Sequence, residues 1–329
     1  MNLKNINKIL IIRLSSLGDI LLTTPVIRSL KKILPNASID FLVRKEFKDV
    51  VKHNIYLNNL FILERNYKNS KLKNKINNEK YDLIIDLQNN IRTNRLISKA
   101  HKIVKYKKSH VKKFFLVKFK LNNFKEIKSI PELYAQAVPN FKLDNEGLEL
   151  FLPKNITAKI KYEDNVIGFC PGSKHKTKMW LKEYFIELGK MLAAKGYKIA
   201  LFGGKDDKEI CKSISDRIVN SIDLSNDNNL YDLAVNMKNC RTVICNDSGL
   251  MHTALSVKTP IIAIFGSTVK EFGFFPYKGK SLILENNSLN CRPCSHIGLS
   301  ECPKTHFKCM KEIKPNYVFN ETLKFIDNL

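Results

Sequence analysis

The sequence predicts an α/β protein made of two parallel-sheet domains, and three observations lead there. A chain of 329 residues exceeds one ordinary core and suits two domains of about 150 residues each. Its first half alternates β-branched apolar runs with helix-like segments, the βαβ rhythm of a parallel sheet. After Pro153 and a polar stretch the rhythm starts again, each new strand ending on a polar or glycine-containing loop. The boundary is placed there, giving domains 1–155 and 156–329.

In chain order, "KILIIRL" (8–14) reads as the first strand and 19–34 as a helix. Pro25 either kinks that helix or marks its true start, with Thr24 as N-cap. "ASIDFLV" and "YDLIIDLQ" follow as buried strands. Residues 97–128 carry eleven lysines and one acid, with apolar pairs between them, as in "VKKFFLVKFK". This is either a basic amphipathic surface or a solvated helix that buries Phe114, Phe115 and Phe119. In the second half, strands "VIGFCPG", "YKIALFGG", "RTVICND" and "PIIAIFG" alternate with helices "EYFIELGKMLAAKG", "DDKEICKSISDRI" and "GLMHTALSV".

Hydrophobic residues at 44% and charged residues at 26% are the composition of a soluble globular protein. The formal net charge of +25 favours approach to polyanions: nucleic acid, anionic lipid or a phosphorylated substrate. Abundant Lys, Asn and Ile point to AT-rich coding, which explains part of that charge without a partner. The N-terminal apolar run is broken by Arg13, short of a signal segment or membrane span, so a cytoplasmic location is expected. Several of the eight cysteines lie in apolar strand runs and read as reduced core residues. The loop "CRPCSHIGLSECPKTHFKCM" is different: Cys291, Cys294, Cys302 and Cys309 approach a zinc or iron–sulfur spacing, but the second pair is separated by six residues. A structural or redox-labile loop is the more ordinary reading.

Two groups of residues suggest chemistry. Gly18 and Asp19 follow the first strand and place a carboxylate at a strand-to-helix junction, where simple helix-end stabilisation also explains an acid. The second-half exit loops "CPGSKHKTKMW", "FGGKDDKE", "CNDSGLMH" and "FGSTVKE" supply small residues that let backbone amides approach a phosphate. Neither the dinucleotide fingerprint nor the P-loop pattern occurs. Ser248 and Gly249 would open a helix whose amides and dipole hold a diphosphate, with His252 one turn in; N-capping by Asp247 or Ser248 and a buried imidazole are the alternatives. Lys178, beside the sole tryptophan, Trp180, is either a diphosphate ligand or a solvated charge.

Together, "RLSSLGDILLTTPVIRSLK", "DLIIDLQNNIRTNRL", "PGS…K-x-W" and "NDSGLMHTALS…P-x-x-x-x-FGST" resemble glycosyltransferase family 9, the ADP-heptose:lipopolysaccharide heptosyltransferases, over nearly the whole chain. The resemblance implies a GT-B fold: two Rossmann-like domains facing a cleft, the first for the acceptor and the second for the nucleotide sugar. It also implies a last helix, near 316–329, that packs back on the first domain. Carried over by motif, Asp19 is the general base and Lys178 the catalytic diphosphate ligand. Ser173, Asp247, Ser248, Gly249 and His252 complete the donor site, and Gly18, Gln88, Arg92 and Arg95 fall to the acceptor. "SKHKTK" departs from the pattern, so that Lys174 or Lys176 competes for the role of Lys178.

The implied reaction moves heptose from ADP-heptose to the inner core of lipopolysaccharide with inversion. A sugar hydroxyl is un-ionised at neutral pH and needs a base, and the leaving diphosphate needs fixed donors and a cation. The implied partners are the nucleotide-sugar donor, a lipid A-core acceptor and, by peripheral contact, the anionic inner face of the inner membrane, with no specific nucleic acid. No cofactor is required, and a structural metal at the cysteine loop is a minor expectation. The competing readings are a GT-B transferase or epimerase using another nucleotide sugar, and a non-enzymatic polyanion-binding protein.

Overall fold

A computed structural model describes residues 5–64, 69–97 and 100–329; Lys99, in the lysine-rich run, lies outside them. The first half runs β1 (Lys8–Ile12), α1 (Leu17–Leu21), α2 (Thr24–Ile33), β2 (Ser38–Arg44), β3 (Asn59–Leu63), α3 (Asn69–Asn78), β4 (Leu83–Asp86), α4 (Ile91–Leu96), β5 (Lys102–Lys105), α5 (His110–Phe119) and α6 (Ile130–Ala135). Ile9 to Ile12 of β1 are wholly buried, as a strand covered on both faces requires. The sheet is parallel, in the order β3-β2-β1-β4-β5. The chain winds outward from β1 to β3, then returns to pair β4 on the other side of β1. The exits of β1 and β4 therefore lie side by side at a topological switch point, where open α/β sheets bind ligands.

The expected helix over 19–34 is two helices. Thr23 is the N-cap of α2 and Pro25 its second residue, so the missing proline N–H falls where a helix has no bond to lose. The hydroxyls of Thr23 and Thr24 donate back to the carbonyls of Ile20 (2.7 Å) and Leu21 (2.8 Å), closing the break. Arg28, buried on α2, donates to Asp144 (2.6 Å) and the Gly147 carbonyl (2.9 Å) and meets Glu149 at 3.1 Å, which fastens segment 144–149 onto this helix.

The second half runs β6 (Val166–Cys170), α7 (Lys182–Ala194), β7 (Lys198–Leu201), α8 (Lys208–Ser215), β8 (Ile222–Asp223), α9 (Leu230–Met237), β9 (Thr242–Asn246), α10 (Gly249–Ser256), β10 (Ile261–Phe265), β11 (Ser281–Glu285), α11 (Lys308–Lys311) and α12 (Pro315–Asp327). Its parallel sheet has the order β11-β10-β9-β6-β7-β8, so the same winding recurs with its switch point between β6 and β9. Ile167, Phe169, Trp180, Phe185, Ile244 and Ile264 lie at the centre of its core. The last helix packs along α7, where Val318, Phe319 and Leu323 join this second core.

The chain divides into two compact units, Met1–Lys108 with Lys128–Phe151, and Ser109–Ile127 with Leu152–Leu329. A single cut at 155/156 put the lysine-rich helix in the first domain; in the structure α5 groups with the second. Lys120 Nζ donates to the carbonyls of Cys291 (3.1 Å) and Pro293 (2.6 Å), and Asn122 donates to Glu271 at 3.0 Å. The reading that buries the phenylalanines of α5 fails, since Phe114 is 58% and Phe119 54% exposed. All eight cysteines are free, and Cys170, Cys211, Cys240, Cys245 and Cys309 are buried. Among the described residues, no helix is long and apolar enough to cross a membrane.

Candidate functional site

The first cluster sits where β1 and β4 end. Arg13 follows the apolar run of β1 and is only 8% exposed, so its guanidinium must find acceptors inside. Its Nε donates to the Ser15 carbonyl (2.8 Å), one terminal nitrogen to the Leu87 carbonyl (2.7 Å), and the other meets Asp19 Oδ1 at 2.8 Å. Asp19 Oδ2 accepts from the Ser16 amide (3.1 Å) and hydroxyl (2.7 Å). The helix-end role of Asp19 and a buried ion pair are thus both realised, and together they fix the carboxylate.

Aromatic and basic groups surround this pair. Tyr134, buried on α6, lies under the Arg13 guanidinium at 5.5 Å and takes the edge of Tyr106 at 5.0 Å. Burial first, and then the Asp19 charge against the opposing Arg13, pushes the Tyr134 phenol far above its ordinary value, so it stays protonated. Lys108 Nζ donates to the Asn89 carbonyl at 3.1 Å, and its ammonium is lowered, mainly by burial and then by Arg13.

The other acceptor-side residues divide. Gln88 Oε1 accepts from the amides of Leu14 (3.0 Å) and Ser15 (3.3 Å), so this carbonyl ties the two exits together. Gly18 is buried within α1, close to the pair, while Arg92 and Arg95 stand exposed on α4.

The second cluster sits where β6 and β9 end. Asn246, the last residue of β9, donates to the Pro171 carbonyl (2.7 Å) and accepts from the Trp180 amide (2.9 Å), fixing both ends of the loop after β6. That loop passes Asp207 so closely that a Cβ on Gly172 would stand 2.0 Å from the carboxylate, so any larger residue would displace the Asp207 side chain. Asp247 Oδ2 receives Lys178 Nζ at 2.7 Å and the Thr268 hydroxyl at 2.7 Å, and Ser173 Oγ donates to the Asp247 carbonyl at 3.2 Å. Ser173, Lys178 and Asp247 therefore come together from distant segments. Lys174 and Lys176 are exposed, whereas Lys178 is only 14% exposed, which separates it from its neighbours.

The start of α10 completes this cluster. Ser248 is the N-cap residue, yet no side chain caps the helix, and its hydroxyl is buried without a partner. The Asp247 carboxylate is turned to Lys178 and Thr268. Plain N-capping is therefore not the arrangement here, and the first-turn amides, starting at Gly249, keep their capacity to bind an anion. His252, one turn in, is buried at 3% exposure, as expected of an interior imidazole.

Sequence reasoning missed Arg13, Asn246, Thr268 and Arg292. A charge at the end of an apolar strand was the available signal for Arg13. Arg292 was hidden in the cysteine loop: it is buried, donates to the carbonyls of Gly266 and Thr268 (2.8 Å), and pairs with Glu285 at 2.7 Å, stapling the loop that carries Thr268. The thiols around it have separate partners. Cys291 Sγ lies 3.8 Å from His306 Nε2, Cys294 Sγ donates to the Cys291 carbonyl at 3.4 Å, and burial pushes the Cys309 thiol up to about 12. Among the described residues, no three His, Cys, Asp or Glu side chains are grouped to hold a metal ion.

The sequence profile of glycosyltransferase family 9 (heptosyltransferase) matches residues 69–304, well over half of the chain. The chain belongs to this family. Lipooligosaccharide heptosyltransferase 2 of Campylobacter jejuni is 25% identical to it over 326 residues, covering 95% of this chain and 96% of that protein. The structure of a family 9 glycosyltransferase from Veillonella parvula covers 100% of this chain and 99% of its own, with TM-score 0.80 and 23% identity. That of Escherichia coli ADP-heptose lipopolysaccharide heptosyltransferase II covers 98% and 99%, with TM-score 0.73 and 20% identity.

This family 9 protein is thus a glycosyltransferase of GT-B fold, with the two parallel sheets that fold requires. Membership sets aside the reading of a non-enzymatic polyanion binder. The profile match contains the whole second cluster but begins after Asp19, whereas the Campylobacter relative aligns over nearly the full length.

Proposed function

We propose that this enzyme transfers a heptose from ADP-heptose to the inner core of a lipid A-linked acceptor, inverting the anomeric carbon, with the first unit taking the acceptor and the second the donor. The observation that carries the reading is the uncapped start of α10 beside the Lys178–Asp247 pair. A diphosphate there gains amide donors, a helix dipole and a cation held within reach. The names of the full-length relatives support heptose and lipopolysaccharide as the substrate classes.

In this reading Asp19 accepts the proton of the acceptor hydroxyl as its oxygen attacks the anomeric carbon. The bond from that carbon to the donor phosphate oxygen breaks, and its electron pair leaves with ADP. Lys178, the α10 amides and the Ser248 hydroxyl meet the charge that develops on the diphosphate. Asp247 and Thr268 position Lys178, and Arg13 and Ser16 position Asp19. These groups serve the leaving diphosphate without a metal ion. Lys108, Arg92 and Arg95 supply cations for the phosphates and carboxylates of a core acceptor. Because that acceptor is lipid-linked, the enzyme works at the inner face of the inner membrane.

The test is transfer from ADP-heptose to a heptose-free lipid A-core acceptor in the presence of chelator. Wild type is expected to transfer, Asp19→Ala to bind ADP normally and fail to transfer, and Lys178→Ala to weaken ADP binding about tenfold or more. Wild type that binds ADP tightly but gives no heptosyl product would overturn the substrates. Equal loss of ADP affinity in both variants would overturn the division of roles.

A further inference from the structure

We propose that α5 and the segment that follows it, to Ile127, form a docking surface for an anionic lipid bilayer, with Phe114 and Phe119 entering the interfacial region. This deepens, and in its biological setting rests on, the reading of a lipid-linked acceptor. The surface chemistry argues for it independently. A helix advances 100° per residue, so Val111, Phe114, Phe115, Lys118 and Phe119 of α5 share one side. The opposite side, with Leu116 buried and Lys113 set over the rings of Phe272 and Phe274, is fastened to the second unit.

The outward side is apolar where water would favour polar groups. Val111 is 69% exposed, Phe114 58%, Phe119 54%, Leu121 53% and Ile127 50%. The three phenylalanines pack on one another with ring centroids 5.6 to 6.0 Å apart, so the apolar cluster is assembled before it meets a partner. An exposed, preassembled apolar cluster of this kind marks an interaction surface.

Charge selects the partner. Lys112, Lys118 and Lys125 are exposed on the same stretch, in a run of residues 97–128 that holds eleven lysines and a single acid. Apolar rings flanked by lysines match the boundary between acyl chains and anionic headgroups, where each lysine adds attraction. A second copy would bring a like-charged row against this one. Single-stranded nucleic acid would need open ring faces, but the phenylalanines pack against one another, two of the three pairs edge-to-face, and aliphatic Val111 shares their side of the helix.

The experiment is vesicle flotation of the full chain without substrates, using phosphatidylethanolamine/phosphatidylglycerol vesicles against phosphatidylcholine ones, paired with transfer assays on detergent-dispersed acceptor. Wild type should float with the anionic vesicles only, and less at high salt. Phe114→Ser/Phe119→Ser should lose about tenfold or more of its partitioning while keeping wild-type transfer in detergent. Lys112→Gln/Lys118→Gln/Lys125→Gln should lose binding to the anionic vesicles. Circular dichroism and ADP affinity equal to wild type confirm that the variants fold. Wild type that ignores the vesicles, partitioning untouched by the phenylalanine changes, or phenylalanine-dependent binding of single-stranded RNA in place of vesicles would each overturn the proposal. Failed heptosyl transfer with intact vesicle binding would count against the substrates alone.

Discussion

Arg13 has three acceptors that no other group can serve at once: two carbonyls on different strand exits and the Asp19 carboxylate. Arg13→Met would keep much of the stem's packing, but both carbonyls would lose the guanidinium and Asp19 would lose its cation, keeping its bonds from Ser16. Removing one partner of a buried ion pair costs about 3–5 kcal/mol, so urea unfolding should show a loss of that size together with a fall in kcat. Arg13→Lys should restore part of the stability but not the geometry, because an ammonium cannot form the planar fork. Asp144 gives the pH counterpart. Burial alone would raise its carboxyl, but hydrogen bonds from Arg28 and Lys32 outweigh that and hold it well below the ordinary range. A carboxyl depressed in the folded state contributes stability that is complete above its unfolded value, about 4, and is lost as pH falls toward the folded value. Asp144→Asn should therefore be less stable at neutral pH, with the difference shrinking below about pH 4 in acid titrations followed by circular dichroism.

At the scale of elements, legibility followed burial. The β-branched runs of β1, β4, β6, β9 and β10 are buried on both faces and could be read directly, as could the small-residue loops that follow them. The orientation of α5 could not be read, because its phenylalanines and lysines alternate so that either face might turn inward; contacts far along the chain, at Phe272 and Pro293, decide it. The surface that α12 covers within its own unit is not legible for a related reason: an apolar stripe says that a helix packs, not on what. The join is made by Trp180, 1% exposed, whose indole N–H donates to the Ile313 carbonyl at 2.8 Å just before α12 and whose ring meets Phe185 of α7 at 5.0 Å. Trp180→Phe should cost about 1–3 kcal/mol through the unpaired carbonyl, and Trp180→Ala about 3–5 kcal/mol, read from urea unfolding by circular dichroism. If the two variants lost equal stability, the hydrogen bond rather than the packing would be what holds this junction.

Over the whole molecule, one winding is used twice, and each candidate cluster lies at its own switch point: Asp19 between β1 and β4, Lys178 and α10 between β6 and β9. The net charge of +25 belongs to neither cluster alone. The paired charges that organise the sites, Arg13–Asp19 and Lys178–Asp247, have side chains less than a fifth exposed, so added salt should weaken them little. Most of the excess lysine is on the surface, where like charges repel over about 10 Å at 0.1 M salt and about 3 Å at 1 M. Raising sodium chloride from low to moderate concentration should therefore raise the melting temperature while lowering affinity for anionic vesicles. Chloride is the right probe, because sulfate strengthens apolar burial by a separate route and would blur the reading. A melting temperature that falls with sodium chloride would mean that exposed pairs such as Lys45–Glu64 and Lys198–Asp164 contribute more than the repulsion removes. The surplus lysines would then be a stabilising lattice of pairs rather than the self-repelling coat expected from fifty-six basic residues against thirty-one acidic ones.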